Sequence, residues 1–325
     1  MDIMQRARQL MSQGRQQEAI AAVEAAARER DPEAMLAVAH WRLFGVYGER
    51  DLDTAHRLFA DAGEAGSVEA VRLRATLVAN GTGCSSDPAL ARAMLEQIAP
   101  VDANAAHQLA LLAAMPPPGS VAALSAETLC RAPSIRLVRG LLSADECRYI
   151  ITAAGPLLQP SFVVDPVSGR RIPHPVRTSY GMNFGPTQED PVIHQLNRRI
   201  AAATGTEVSC GEPLHVLRYR GGQEYRPHFD ALPGAANQRS LTALIYLNED
   251  YAGGETLFDR LELSVRGRMG DALVFDNIDA EGLGDERSRH AGLPVSGGEK
   301  WLATRWIRQR PYDALAAVSG PETSP

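Results

Sequence analysis

Residues 225–232 read YRPHFDAL, so His228 and Asp230 stand two apart. In an extended strand the side chains at i and i+2 point to one face, and this imidazole and carboxylate could reach a single ion. The pair alone is a weak signal, because short motifs of this kind often arise from two polar residues that merely share a strand. A metal would need a third ligand from another strand, and His290 in "RSRHAGLPVSGGEKW" is the best candidate. Two histidines and one carboxylate leave three positions open on an octahedral ion, which suits non-haem Fe(II) oxygen chemistry. Zinc hydrolysis uses a similar set, so the ligands alone leave the metal open.

Lys300 narrows the choice. It follows the Gly297-Gly298 turn and opens the apolar run KWLATRW. A cation inside a β-barrel is costly unless it meets an anion. A dicarboxylic cosubstrate, chelating the metal at one end, would place its far carboxylate there. The plain alternative is a lysine at a strand edge facing water.

These residues need a sheet to bring them together. From about residue 206 short apolar runs alternate with turns: PLHVLRYR, SLTALIYLN, ETLFDRLELSV, DALVFDN and KWLATRWIR. Upstream, Ser143 precedes the amphipathic run to Leu158, with acids in its first turn, and residues 190–205 read as a second helix closed by Gly205. Many short strands with two flanking helices predict an α+β domain built on a β-sandwich or barrel.

Before residue 116 the vocabulary is different. Ala, Glu, Arg and Leu predominate, and the stretch repeats itself with the offset from Asp31 to Ser67. Glu33 matches Glu69, Ala34 matches Ala70 and Gly45 matches Gly81; further on, Asp51 matches Asp87, Ala55 matches Ala91 and Phe59 falls opposite Leu95. A fainter copy sets Ala19 against Ala55 and Val23 against Phe59. Such a period predicts an all-α solenoid of about three stacked helix-turn-helix units. The block resembles Sel-like repeats, relatives of the tetratricopeptide repeat. That resemblance implies a surface for protein or peptide, or else a scaffold for the neighbouring domain. The expected organisation is helical repeats over 1–115, a proline-rich linker over 116–133 with its junction at MPPPGS (115–120), a second domain over 134–311, and a frayed tail over 312–325.

Composition excludes several classes. A net charge of −6 with a pI near 5.8 gives no footprint for nucleic acid. No apolar stretch is long enough to span a bilayer, and the N-terminal residues lack an apolar core of the secretory kind. Cys84, Cys130, Cys147 and Cys210 have no zinc-type spacing and read as reduced thiols, so a cytoplasmic location is expected.

The ordered segments EPLHVLRYRGGQEYRPHFD, RSLTALIYLN, GGETLF, GDALVFDN and SRHAGLPVSGGEKWLATRWIR resemble the prolyl 4-hydroxylase branch of the Fe(II)/2-oxoglutarate dioxygenases. PSFVVDPVSG and RTSYGMNF extend the resemblance upstream, to about residues 134–311. It implies a double-stranded β-helix (jelly-roll) domain with His228, Asp230 and His290 on iron and Lys300 on the distal carboxylate of 2-oxoglutarate. Tyr219, Tyr246 and Thr256 would line the cosubstrate pocket, and Arg177 would lie on the stretch that covers substrate. The chain departs from the family at His215, where Gln is usual; packing is the reading favoured for it. The implied reaction consumes 2-oxoglutarate and O2, releases succinate and CO2 and hydroxylates a C–H bond, with ascorbate as the expected reductant. A proline in a peptide or protein is the favoured substrate, and the repeats are a candidate binding surface for it. A free amino acid or small metabolite is the alternative substrate; a repeat-based adaptor with an iron- or 2-oxoglutarate-sensing barrel is the alternative of another class.

Overall fold

The computed structural model describes residues 2–123, 125–164, 171–173 and 176–319. Residues up to Ala114, together with Pro186–His194, form one unit, and the remainder forms a second.

Among the described residues, the first unit contains α1 (Ile3–Ser12), α2 (Gln16–Arg28), α3 (Pro32–Phe44), α4 (Leu52–Glu64), α5 (Val68–Asn80), α6 (Pro88–Ile98) and α7 (Ala103–Ala114). Its boundaries follow from capping chemistry that repeats with the sequence. Asp31 and Ser67 cap α3 and α5 by accepting from the Ala34 and Ala70 amides, while Asp51 and Asp87 do the same for α4 and α6. Gly45 and Gly81 end α3 and α5 in the left-handed region, at φ 70° and 78°, where a side chain would be strained. Each helix packs on its neighbours in sequence. The aligned positions Ala34, Ala70, Ala55, Ala91, Phe59 and Leu95 are all fully buried, as small residues at helix crossings require. Asn80 donates through Nδ2 to the carbonyls of Pro186 and Glu189, which fastens the 186–194 segment to α5.

The second unit runs through β1 (Ala126–Arg131), β2 (Ser134–Val138), α8 (Ala144–Ala154), β3 (Gln159–Pro160), β4 (Phe162–Val164), β5 (Arg171–Pro173), β6 (Tyr180–Asn183) and, from Gln195 onward, α9 (Pro191–Thr204). It continues with β7 (His215–Tyr219), β8 (Tyr225–His228), β9 (Arg239–Tyr246), β10 (Ala252–Gly253), β11 (Thr256–Phe258) and β12 (Leu263–Val265). It closes with β13 (Ala272–Asp276), β14 (His290–Gly292), β15 (Val295–Gly297), β16 (Lys300–Arg308) and α10 (Ala314–Ser319). An eight-stranded sheet has the order β1-β2-β13-β9-β16-β7-β6-β3, and a four-stranded sheet the order β12-β11-β14-β8. One core joins them: Leu217, Leu244, Leu273, Phe275 and Leu302 of the larger sheet pack with Phe258 and Val265 of the smaller. Two antiparallel sheets closed over a shared core are the jelly-roll expected from the resemblance.

Two details differ from the sequence reading. The stretch read as a linker, 116–133, carries β1, whose mostly exposed side chains hide its strand character; it pairs with β2 at the edge of the larger sheet. Part of the stretch read as a frayed tail forms α10, started by the Asp313 carboxylate accepting from the Leu315 and Ala316 amides. The motif PSFVVDPVSG falls partly, and His174 wholly, outside the described residues.

Candidate metal and cosubstrate site

Strand pairing assembles the site. β14 lies antiparallel to β8 with His290 directly opposite His228, and the two rings are 4.3 Å apart between centroids. Asp230, just past β8, brings Oδ1 to 3.7 Å from His228 Nε2 and Oδ2 to 3.8 Å from His290 Nε2. These three are the one cluster of potential metal ligands among the described residues, with ligand atoms all within 4.8 Å of one another. The arrangement fits a divalent cation in its hydrogen bonding as well as its donor set. His228 Nδ1 lies 2.9 Å from the Arg226 carbonyl and His290 Nδ1 3.0 Å from the Ser288 carbonyl. With each Nδ1–H donating there, each Nε2 lone pair points into the cluster, the orientation metal-binding histidines require.

Electrostatics prepare the same state. Burial, reinforced by the facing His290, lowers the His228 imidazole to about 3, so it stays neutral and free to donate to a metal. Burial pushes the Asp230 carboxyl up, but the two imidazoles and the Thr242 hydroxyl outweigh it and hold the group below the usual range. Thr242 Oγ1 donates to Asp230 Oδ2 at 2.7 Å.

The pocket continues from the metal cluster towards Lys300. Leu217 and Tyr219 of β7, and Lys300, Leu302, Thr304 and Trp306 of β16, face it by alternation along their strands, and Lys300 sits opposite Tyr219 in the register. Lys300 is 2% exposed. Its Nζ donates to the Gly254 carbonyl at 2.5 Å, and the rings of Tyr219, Tyr246 and Tyr251 lie at 5.7, 5.9 and 6.0 Å. No carboxylate lies within ion-pair distance of it among the described residues, and burial lowers it from 10.5 to about 7. A buried ammonium held by one neutral carbonyl is a receptor for an anion. Tyr246 and Thr256 meet beside it, their hydroxyls 3.4 Å apart. All four residues expected around a dicarboxylate therefore gather at this end. Gly267 is why Tyr246 fits: a Cβ there would lie 2.3 Å from the ring.

Arg177 reaches the opposite side. It bridges to Tyr225, donates from Nε to Ser161 Oγ at 3.1 Å, and holds its guanidinium 5.4 Å from the Tyr225 ring, which itself stacks on His228 at 3.4 Å. His215 is buried against Trp306 and occupies the space that Gly181 leaves by lacking a Cβ. Burial, with Arg177 and Arg239, keeps His215 neutral, as a packed residue should be.

Sequence reasoning missed several residues here. Trp306 lines the pocket, and the Arg239 guanidinium lies 4.0 Å over its ring while forming a two-point pair with Glu212. Thr242 and Asn277 join behind Asp230. Only the alternation along SLTALIY, which turns Thr242 inward with Leu244 and Tyr246, pointed to any of them.

Residues 214–308 match the 2OG-Fe(II) oxygenase superfamily. Prolyl 4-hydroxylase 1 of Arabidopsis thaliana is 36% identical over 203 residues, which cover 57% of this chain and 72% of that protein. The chain belongs to the prolyl 4-hydroxylase family. Another relative, the prolyl 4-hydroxylase subunit alpha-1 of Rattus norvegicus, is 34% identical over 187 residues, 55% of this chain but 35% of that longer protein. Among solved structures, the viral collagen prolyl hydroxylase vCPH from Paramecium Bursaria Chlorella virus-1, in its 2OG complex, is 29% identical with a TM-score of 0.45, covering 55% of this chain and 98% of that one. As a prolyl 4-hydroxylase family member, this protein is a dioxygenase dependent on Fe(II), 2-oxoglutarate and O2.

Proposed function

We propose that the protein hydroxylates proline in a peptide or protein, with His228, Asp230 and His290 holding Fe(II) and Lys300 anchoring 2-oxoglutarate. The observation that carries this reading is the placing of the His228–Asp230–His290 cluster and the buried Lys300 ammonium, with no carboxylate partner among the described residues, in a single pocket. When bound, Fe(II) would activate O2, the oxidant, with 2-oxoglutarate as co-reductant: one oxygen atom would enter succinate, formed with loss of CO2, and the other would enter the hydroxyl on the substrate carbon.

The chain's residues supply placement. Lys300 pairs with the distal carboxylate of 2-oxoglutarate, with Tyr219, Tyr246 and Thr256 around it as hydroxyl partners. Apolar neighbours Leu217, Leu244 and Leu302 keep water from the reacting end. Arg177, on the rim beside Tyr225, contacts substrate. Ascorbate would return iron to the ferrous state after turnover without substrate. The helical unit would hold the flanking parts of a peptide substrate, and the cytoplasm is the proposed compartment. The rat relative's name, prolyl 4-hydroxylase subunit alpha-1, and the identity to plant prolyl 4-hydroxylases support proline over a free metabolite.

The test is mass spectrometry of a proline-containing peptide library incubated with the protein, Fe(II), 2-oxoglutarate and ascorbate. One added oxygen on proline supports the reading. Oxygen added only to another residue, or only to a free amino acid, moves the substrate; no succinate from 2-oxoglutarate, even without substrate, despite bound iron favours a sensing role.

A further inference from the structure

Behind the metal cluster lies a hydrogen-bonded chain that no family resemblance led us to expect. Asn277 donates through Nδ2 to Thr242 Oγ1 at 2.9 Å, and Thr242 donates its single proton to Asp230 Oδ2 at 2.7 Å. All three side chains are buried, Asn277 and Thr242 completely. Neighbouring strands fix them: Thr242 sits on β9, Asn277 just beyond β13, and β9 pairs with β13 so that Leu241 opposes Asp276. The Asn277 amide also donates to the Ser240 carbonyl, which ties its backbone to β9.

The direction of each bond is determined by inventory. An amide NH2 can only donate, so Thr242 Oγ1 must accept from Asn277. The hydroxyl's one proton is then left for Asp230, whose ionised carboxylate can only accept. Asp230 Oδ2 is occupied on that side, and Oδ1 remains as the freer oxygen facing His228.

We infer that Thr242 and Asn277 are positioning residues which hold Asp230 as a one-oxygen ligand and thereby set the metal affinity of the site. This rests on the proposal that Asp230 binds the metal, and it adds residues which touch neither metal nor substrate. Groups that orient metal ligands from behind commonly change metal affinity about 10- to 100-fold when removed.

The experiment measures Mn(II) and Co(II) dissociation constants of the full chain by calorimetry in the absence of 2-oxoglutarate and O2, alongside the melting temperature of the metal-free protein. Thr242→Val removes the hydroxyl at nearly constant volume and is expected to weaken both metals about 10- to 100-fold. Thr242→Ser, which keeps the hydroxyl, should bind within a few-fold of wild type. Asn277→Asp is the decisive variant. An acceptor at that position would compete with Asp230 for the Thr242 proton, so metal affinity should fall towards that of Thr242→Val. Acting by charge alone, the added carboxylate would instead tighten the cation, and tighter binding by Asn277→Asp would overturn the role given to Asn277. The double variant should bind no more weakly than Thr242→Val alone. Unchanged metal affinity in Thr242→Val would overturn the inference; so would a loss shared by Thr242→Ser, which would mark a packing defect. Loss of metal binding in Asp230→Ala is the control: if it too left affinity unchanged, the ligand assignment itself would fail first.

Discussion

His228 and His290 stand directly opposite one another on adjacent antiparallel strands, each with its Nδ1 on a backbone carbonyl two residues before it. The symmetry of that arrangement leaves both Nε2 atoms facing Asp230. It follows that the site loses its metal when any one of the three is truncated. His228→Ala, His290→Ala and Asp230→Ala are each expected to reduce succinate formation by about a thousandfold or more, because the metal carries several kcal/mol of the barrier reduction. Calorimetry with Mn(II) should show the same loss in binding, while an intact far-ultraviolet circular dichroism spectrum separates it from unfolding.

Lys300 gives a prediction with a sign in pH. Burial lowers it from 10.5 to about 7, so between those values the unfolded chain binds more protons than the folded one. Stability of the protein without 2-oxoglutarate should therefore rise with pH across that window. Binding the dianion favours the ammonium, so a proton is taken up above about pH 7 and affinity falls as pH rises, approaching tenfold per unit. Calorimetry at pH 8 in two buffers of different ionisation enthalpy measures the uptake directly. Lys300→Met should abolish it and weaken 2-oxoglutarate roughly 30-fold or more, as loss of one partner of a buried ion pair does. The same variant should leave the protein without 2-oxoglutarate as stable as wild type, or more so, since an uncompensated buried charge is gone. Equal proton uptake by wild type and Lys300→Met would remove the role given to Lys300.

Gly267→Ala tests the wall behind the cosubstrate. Its Cβ would meet the Tyr246 ring at 2.3 Å, so the ring must shift away from Thr256. A stability loss of about 1–3 kcal/mol is expected from overpacking. The Michaelis constant for 2-oxoglutarate should rise with little change in that for peptide.

Arg177→Ala tests the rim. The guanidinium stands beside Tyr225, away from the Lys300 end. The Michaelis constant for peptide should rise about tenfold, in line with one lost charge-assisted hydrogen bond, while 2-oxoglutarate affinity stays constant. A change confined to 2-oxoglutarate would place Arg177 on the wrong side of the pocket.

Much of this was legible in the sequence because the decisive residues lie on strands with a period of two. His228 and Asp230 share a face, and KWLATRW turns Lys300, Leu302, Thr304 and Trp306 one way. The repeat was legible because its caps recur, from Asp31 to Ser67 and from Asp51 to Asp87. What was not legible depends on strand pairing. Thr242 and Asn277 lie in the segments RSLTALIYLN and GDALVFDN, but nothing there gave either a role, and they meet only because β13 lies against β9. Trp306 and Arg239 meet likewise because β16 lies against β9. β1 escaped notice because most of its side chains are exposed and carry no alternation. Asn80 gave no hint that it would hold residues 186–189 through its side-chain amide.

The central claim is that this pocket couples 2-oxoglutarate oxidation to hydroxylation of peptidyl proline. Turnover under ¹⁸O2, with Fe(II), 2-oxoglutarate and a proline-containing peptide, tests it most directly by following both products in the mass spectrometer. One ¹⁸O atom should enter succinate and one should enter proline, in equal amounts, and both signals should vanish in His290→Ala. Oxygen in the peptide that comes from water, or a peptide signal that persists in His290→Ala, would contradict the account.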